Sequence, residues 1–210
     1  MISTSSIMHN EILSKSQHEL FPLVKRFSSQ FGLVGGTAIA LHLGHRQSID
    51  FDLFSNKPFD NAHIRKIIVK TNSIDRVVFD EEGQYTVLIN GVRFTFLEYP
   101  FQLSFHRNAP GGIRLPDLLT LAAMKAYALG RRAKWKDYVD MYFIIKKYGL
   151  NRVTARARSI FVKEFNEKVF RTQLSYFDDI DFSEEVIFMP GFEVKPSLIE
   201  SALVNFSLAK

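Results

Sequence analysis

The chain has 210 residues, no cysteine and a formal net charge of +5. The missing cysteines exclude disulfides and thiolate metal sites and fit a reducing cytoplasm. A content of 46% hydrophobic and 23% charged residues is that of an ordinary globular chain, and no apolar stretch approaches the length needed to span a bilayer. The start, MISTSSIMHNEILSK, lacks the basic beginning and apolar block of a secretory signal, and 20 Phe offer a substantial core.

In chain order, the spacing of Ile12, Leu13, Leu20, Phe21, Leu23 and Val24 predicts a helix over 10–29. A short strand follows at Phe31–Val34, then a helix at Thr37–Leu43 and a strand at Ile49–Phe54. Asp60 is a good N-cap for a helix to about Lys70. Strands are expected at Ile74–Phe79, Tyr85–Ile89 and Val92–Leu97, the last two joined by an Asn90-Gly91 hairpin, with a further strand near Phe101–His106. Ala109-Pro-Gly-Gly112 breaks the pattern. Leu115-Pro116-Asp117 then opens a helix running to Gly130. Later helices are read at about Lys134–Tyr148, stopped by Gly149, and at 151–175 and 196–208, with 177–195 acidic and irregular. The sum is an α+β (α/β) chain: residues 1–114 as a small mixed sheet with flanking helices, and residues 115–210 as a helical region.

The most informative stretch is GGTAIALHLGHRQSIDFDL, Gly35 to Leu53. Gly35 and Gly36 let backbone approach a ligand closely, and a helix opening near Thr37 aims free N–H groups and its positive end at an anion. Asp50 and Asp52 alternate with Ile49, Phe51 and Leu53, which puts both carboxylates on one strand face. Such a pair repels itself unless a cation intervenes, and all-oxygen ligands of this kind suit Mg²⁺ bridged to substrate phosphates.

These residues resemble the signature of the nucleotidyltransferase superfamily, whose small members are the minimal nucleotidyltransferases. Within it, GGTAIALHLGHRQSIDFDLFS and KAYALGRRAKWKDYVDMY look like the AbiEii/AbiGii toxin family, over roughly residues 30 to 148. The resemblance implies a small sheet carrying the carboxylates and a helical domain closing the cleft. It implies NTP as substrate, with Gly35, Gly36 and Thr37 cradling the triphosphate, and Asp50 and Asp52 as the metal ligands, with two Mg²⁺ ions in the active complex. It also implies a toxin of a toxin–antitoxin or phage-defence pair, cytoplasmic, acting on RNA such as tRNA ends, with a cognate antitoxin as partner.

Lys125 and Asp137 fall on consecutive helices joined by a short turn, so the two can converge. By resemblance, Lys125 neutralises triphosphate oxygens and Asp137 activates or positions the attacking hydroxyl. Read without the resemblance, Lys125 is a snorkelling surface lysine and Asp137 a salt-bridged surface acid. Asp140, one turn on, is a supporting acid or a partner of Lys136. The superfamily often adds a third carboxylate on a later strand, and the position aligned with it here is Thr95. Glu98 substitutes only through a bulge, because it lies on the opposite face of a regular strand. His42, His45 and Arg46 lack the spacing of a zinc site; Arg46 either orients an aspartate or the substrate, or balances the helix end. Phe94, Phe96, Tyr99, Phe101 and Phe105 read as core.

Charge is uneven. Residues 125–171 carry 13 Lys/Arg against 4 Asp/Glu, and residues 172–210 carry 2 against 7. The basic block reads as an RNA surface or as ordinary wet helix faces. Two other readings stay open: the same chemistry on a small molecule such as an aminoglycoside or on a protein hydroxyl, and a nucleotide-binding protein without catalysis, which Thr95 favours.

Overall fold

A computed structural model describes residues 8–129 and 131–209. The opening seven residues and Gly130, part of the sequence reading, lie outside the described residues. The chain divides into two compact units, one ending at Asp117 and one beginning at Leu118.

The first unit opens with α1 (Lys15–Lys25), shorter than the helix expected over 10–29. Ser14 and Gln17 form a reciprocal capping box that sets its start, while Asn10–Ile12 makes a separate 3₁₀ turn. Then come β1 (Gly32–Val34), α2 (Gly35–Leu43), β2 (Phe51–Ser55), α3 (Asn61–Ile68, capped by Asp60 as expected), β3 (Arg76–Glu81), β4 (Gln84–Ile89) and β5 (Val92–Glu98). The sheet order is β1-β2-β5-β4-β3. β2 runs parallel to β5 and every other neighbour is antiparallel, so the sheet is mixed. Phe51 and Leu53 of β2, Phe94 and Phe96 of β5, and Tyr85 and Val87 of β4 are all buried, and together they make the core face. The alternate positions Asp52, Arg93 and Thr95 are half-buried on the other face.

No strand forms over 101–106, contrary to the alternation there; a two-residue strand, β6 (Arg107–Asn108), pairs instead with β7 (Arg114–Leu115). Side chains compete with a ladder in this segment. The Asn56 amide donates to the Leu103 carbonyl at 3.0 Å, and the Phe105 ring fills the space over Gly32, where a Cβ would stand 2.0 Å from Cδ1.

The second unit is helical: α4 (Leu118–Leu129), α5 (Trp135–Tyr148), α6 (Leu150–Phe161), α7 (Glu167–Leu174) and α8 (Pro196–Leu208). The single helix expected over 151–175 is two. Val162 takes a left-handed φ of 48°, and Asn166 caps α7 by accepting from the backbone N–H groups of Lys168 and Val169. That Asn, followed by Glu167, is a start signal legible in the sequence. The irregular acidic segment between α7 and α8 folds onto the start of α5. Asp181 exchanges backbone hydrogen bonds with Ala133 (2.7 Å) and Trp135 (3.0 Å), Phe182 lies against the Trp135 ring, and Glu184 accepts from both Lys134 and Lys136. Part of the basic block is thereby neutralised within the chain.

Candidate active site

The first unit gathers its chemistry where β1 passes into α2 beside β2. Gly35 has φ +70°, a conformation L side chains rarely adopt, and a Cβ there would stand 2.0 Å from Asp52 Oδ2. The Asp52 carboxylate therefore sits against the glycine turn itself. At Gly36 a Cβ would stand 2.8 Å from Arg46 Nη2 and 3.1 Å from Ser48 Oγ. Arg46 is buried, so the turn has a guanidinium behind it. Helix α2 starts with no side-chain cap, which leaves its leading N–H groups for something else. Thr37 turns inward: its hydroxyl is hydrogen-bonded to Ser48 Oγ at 2.9 Å and donates to the Asp50 carbonyl. Its side chain thus clips the chain leading into β2.

Asp50 lies one residue before β2 and Asp52 within it, both half-buried. Arg93 Nη2 donates to Asp50 Oδ2 at 2.5 Å. The β2–β5 register is continuous from Phe51↔Phe94 to Ser55↔Glu98 and pairs Asp52 with Thr95. Thr95 therefore does occupy the strand position beside the second aspartate. No bulge brings Glu98 round; it lies three residues farther along, on the opposite face, with its Cβ 3.6 Å from where a Gly83 Cβ would be. Two half-buried carboxylates two residues apart fit a hard divalent cation that keeps waters and takes phosphate oxygens as its other ligands. They do not make a complete cage, and among the described residues no three His, Asp or Glu side chains form a metal cluster. His42 is hydrogen-bonded to the Pro116 carbonyl at 2.9 Å.

The second unit brings Lys125 and Asp137 together, as the short helical connection suggested. Lys125 Nζ donates to Asp137 Oδ1 at 2.6 Å and lies 3.2 Å from Asp140 Oδ2, and Arg132 Nε reaches Asp137 Oδ2 at 3.1 Å. The Lys125 side chain is 5% exposed and those of Asp137 and Asp140 are fully buried. Burial opposes ionisation of Asp137, yet the Lys125 ammonium and the Arg132 guanidinium outweigh it and hold the carboxyl below the usual carboxylate range. Asp140 is thus a partner of Lys125, which the sequence reading did not consider. That reading also missed Arg93 at Asp50 and Arg132 at Asp137. Arg93 shares strand parity with Thr95, but its distance to Asp50 depends on which strands are neighbours.

Comparison with known proteins bears on both units. A family model described as "Nucleotidyl transferase AbiEii toxin, Type IV TA system" matches residues 23–107. The chain is 34% identical over 143 residues to the uncharacterized protein aq_aa25 of Aquifex aeolicus (strain VF5), a match covering 65% of this chain and 69% of that protein. Among solved structures it is similar to MenT4, a nucleotidyltransferase toxin of Mycobacterium tuberculosis H37Rv, with a TM-score of 0.61, 14% identity and coverage of 92% of this chain and 80% of that one. It is also similar to JHP933 of Helicobacter pylori, with a TM-score of 0.53, 16% identity and coverage of 93% and 91%. At such identities these two likenesses speak for the fold.

Proposed function

Because this chain belongs to the AbiEii nucleotidyltransferase toxin family, we propose that it moves a nucleoside monophosphate from an NTP to a hydroxyl of RNA, with Asp50 and Asp52 as the metal-holding pair. The observation that carries this reading is the Asp52 carboxylate seated on the Gly35 turn at the uncapped start of α2. Anion-binding and cation-binding groups meet there at van der Waals distance, as a metal-bound triphosphate requires. When bound, Mg²⁺ supplies charge neutralisation at the transferring phosphate. The backbone N–H groups of Gly35, Gly36 and Thr37 receive phosphate oxygens, and the buried Arg46 guanidinium behind Gly36 adds positive potential. Thr37 and Ser48 hold the Asp50 backbone in place from within.

Support for an RNA acceptor comes from the second unit. Lys146, Lys147, Arg152, Arg158, Lys163 and Lys168 are exposed there, a cationic density suited to a phosphate backbone and binding that weakens with salt. Lys125 and Asp137 belong to the proposal as a pair. Each is satisfied by the other, so a role for Lys125 at phosphate, or for Asp137 at the acceptor hydroxyl, requires the salt bridge to part. The family implies an antitoxin as partner.

The test is incubation with each radiolabelled NTP, Mg²⁺ and total tRNA, beside Asp50→Ala and Asp52→Ala proteins. Label in RNA for one or two NTPs, only with both aspartates intact, establishes transfer, acceptor and base preference together. Label in protein moves the acceptor to a protein hydroxyl. Label nowhere, with NTP binding retained, overturns the catalytic reading.

A further inference from the structure

Asp50 has a cation beside it already. The Arg93 guanidinium donates to Asp50 Oδ2 at 2.5 Å, with the arginine side chain 43% exposed and that of the aspartate 18%. The main chain at Asp50 is held separately, because Thr37 donates to its carbonyl, so the Arg93 contact bears on the carboxylate alone. Arg93 also stands on the same strand face as Thr95, two residues before it, so the edge of the site formed by β5 offers a positive group and a hydroxyl and no carboxylate. Asp50, Asp52 and Arg93 together carry one net negative charge. The buried Arg46 guanidinium beside Gly36 adds a second positive group at the same turn, so the two carboxylates face cations of the chain itself before any metal arrives.

We infer that Arg93 is a resident counter-cation of the site, occupying Asp50 until metal and nucleotide arrive together and then turning to the nucleotide's phosphates. The inference rests on the reading of Asp50 and Asp52 as metal ligands. A metal ion loaded at Asp50 meets the positive charge of the Arg93 guanidinium at Oδ2, and that repulsion favours release of Arg93 from the carboxylate. The displaced group is half in solvent on a long side chain, and its planar fork suits the oxygens of a triphosphate. Arg93 therefore opposes the metal alone and favours the metal–nucleotide pair.

The experiment is a manganese titration of the full chain, followed by electron paramagnetic resonance, first without nucleotide and then with a non-hydrolysable NTP. Wild type, Arg93→Gln, Arg93→Lys and Asp50→Ala/Asp52→Ala are compared. Without nucleotide, Arg93→Gln should bind Mn²⁺ about three- to tenfold more tightly than wild type, with Arg93→Lys near wild type. In the presence of Mn²⁺ the analogue should bind Arg93→Gln about tenfold more weakly, and Arg93→Lys should recover part of the loss. Mn²⁺ binding to Arg93→Gln that equals or falls below wild type overturns the inference and leaves Arg93 as a positioning residue of Asp50. Mn²⁺ binding that is indifferent to the Asp50→Ala/Asp52→Ala change overturns the metal reading itself, and the inference with it. The two failures are thus told apart by the aspartate variants. Because the Arg93 side chain is 43% exposed, thermal midpoints of the Arg93 variants should stay close to wild type, which keeps folding out of that comparison.

Discussion

Two acidic pairs in this molecule share their chemistry and live in opposite surroundings. Asp50 and Asp52 stand near the start of a strand, half open to solvent, against a glycine turn and a helix without a side-chain cap. Asp137 and Asp140 stand one turn apart on α5, fully buried and closed over the Lys125 ammonium. The first pair is partly solvated and its ion pair with Arg93 contributes little to the fold, since partly exposed pairs contribute about 0–1 kcal/mol. A closed pair is satisfied internally, and its members cannot be removed singly without stranding a charge. Residue type alone does not separate a ligand-binding carboxylate from a structural one; exposure and the identity of the nearest cation do.

The sharpest way to break this contrast is to neutralise the open pair. Asp52→Asn and Asp50→Asn should each lower nucleotide transfer by about a thousandfold or more, equivalent to roughly 4 kcal/mol of barrier. Their unfolding free energies should stay within about 0.5 kcal/mol of wild type. A loss of stability comparable to the loss of rate would mean that the open pair is structural too.

The closed pair should respond the other way. Lys125→Met leaves Asp137 and Asp140 buried without their ammonium and should cost about 3–5 kcal/mol in denaturant unfolding. Neutralising the acids as well, with Asp137→Asn and Asp140→Asn in the same chain, should recover much of that, because the penalty lies in the stranded charge. Full stability of Lys125→Met would show that the cluster tolerates opening, which the catalytic roles assigned to Lys125 and Asp137 require.

Gly35 tests how tightly the open pair is fitted to its turn. Gly35→Ala asks an L side chain to hold φ +70° and places its Cβ 2.0 Å from Asp52 Oδ2. The conformation alone should cost about 1–2 kcal/mol, and displacement of the Asp52 carboxylate should lower transfer by more than that stability loss accounts for. Equal loss of both would reduce Gly35 to a turn residue.

How much of this was legible beforehand depended on whether the signal was local. The order of strands and helices through β5, the Asp60 cap and the Asn90-Gly91 hairpin follow from short-range chemistry, and the structure keeps them. The Gly-Gly turn and the two aspartates are visible as a spaced motif, and Thr95 is legible as the position aligned with a third carboxylate, whereas its pairing with Asp52 comes from the strand register. The strand read over 101–106 failed because Asn56 and Gly32, some 50 and 70 residues upstream, capture Leu103 and Phe105. The cations were least legible. Arg93, Arg132 and the partnership of Lys125 with Asp140 depend on register and helix packing, and a long side chain with a charge at its tip has many partners within reach of any one sequence position.

The smallest effect concerns the charge asymmetry of the second unit. Glu184 accepts from Lys134 and Lys136 and ties the acidic segment to the start of α5. Partial burial pushes its carboxyl up, but the two ammonium groups prevail and hold it at about 2, against an ordinary 4.5. A carboxyl lowered on folding adds stability that is complete above its unfolded value and fades as protons bind. The contribution should therefore be present at neutral pH, begin to fall near pH 4.5 and be gone below about pH 2. With all three side chains partly solvated it should be worth no more than about 1 kcal/mol. Glu184→Gln should lower the urea midpoint slightly at pH 7, with a gap to wild type that narrows steadily toward pH 3. Releasing Lys134 and Lys136 from Glu184 also raises the positive charge at the start of α5. Under the RNA reading, the same variant should bind tRNA somewhat more tightly at low salt, with a steeper salt dependence than wild type. A variant that loses stability but leaves tRNA affinity and its salt slope untouched would remove this end of α5 from the RNA-binding surface and leave Glu184 as a local clasp.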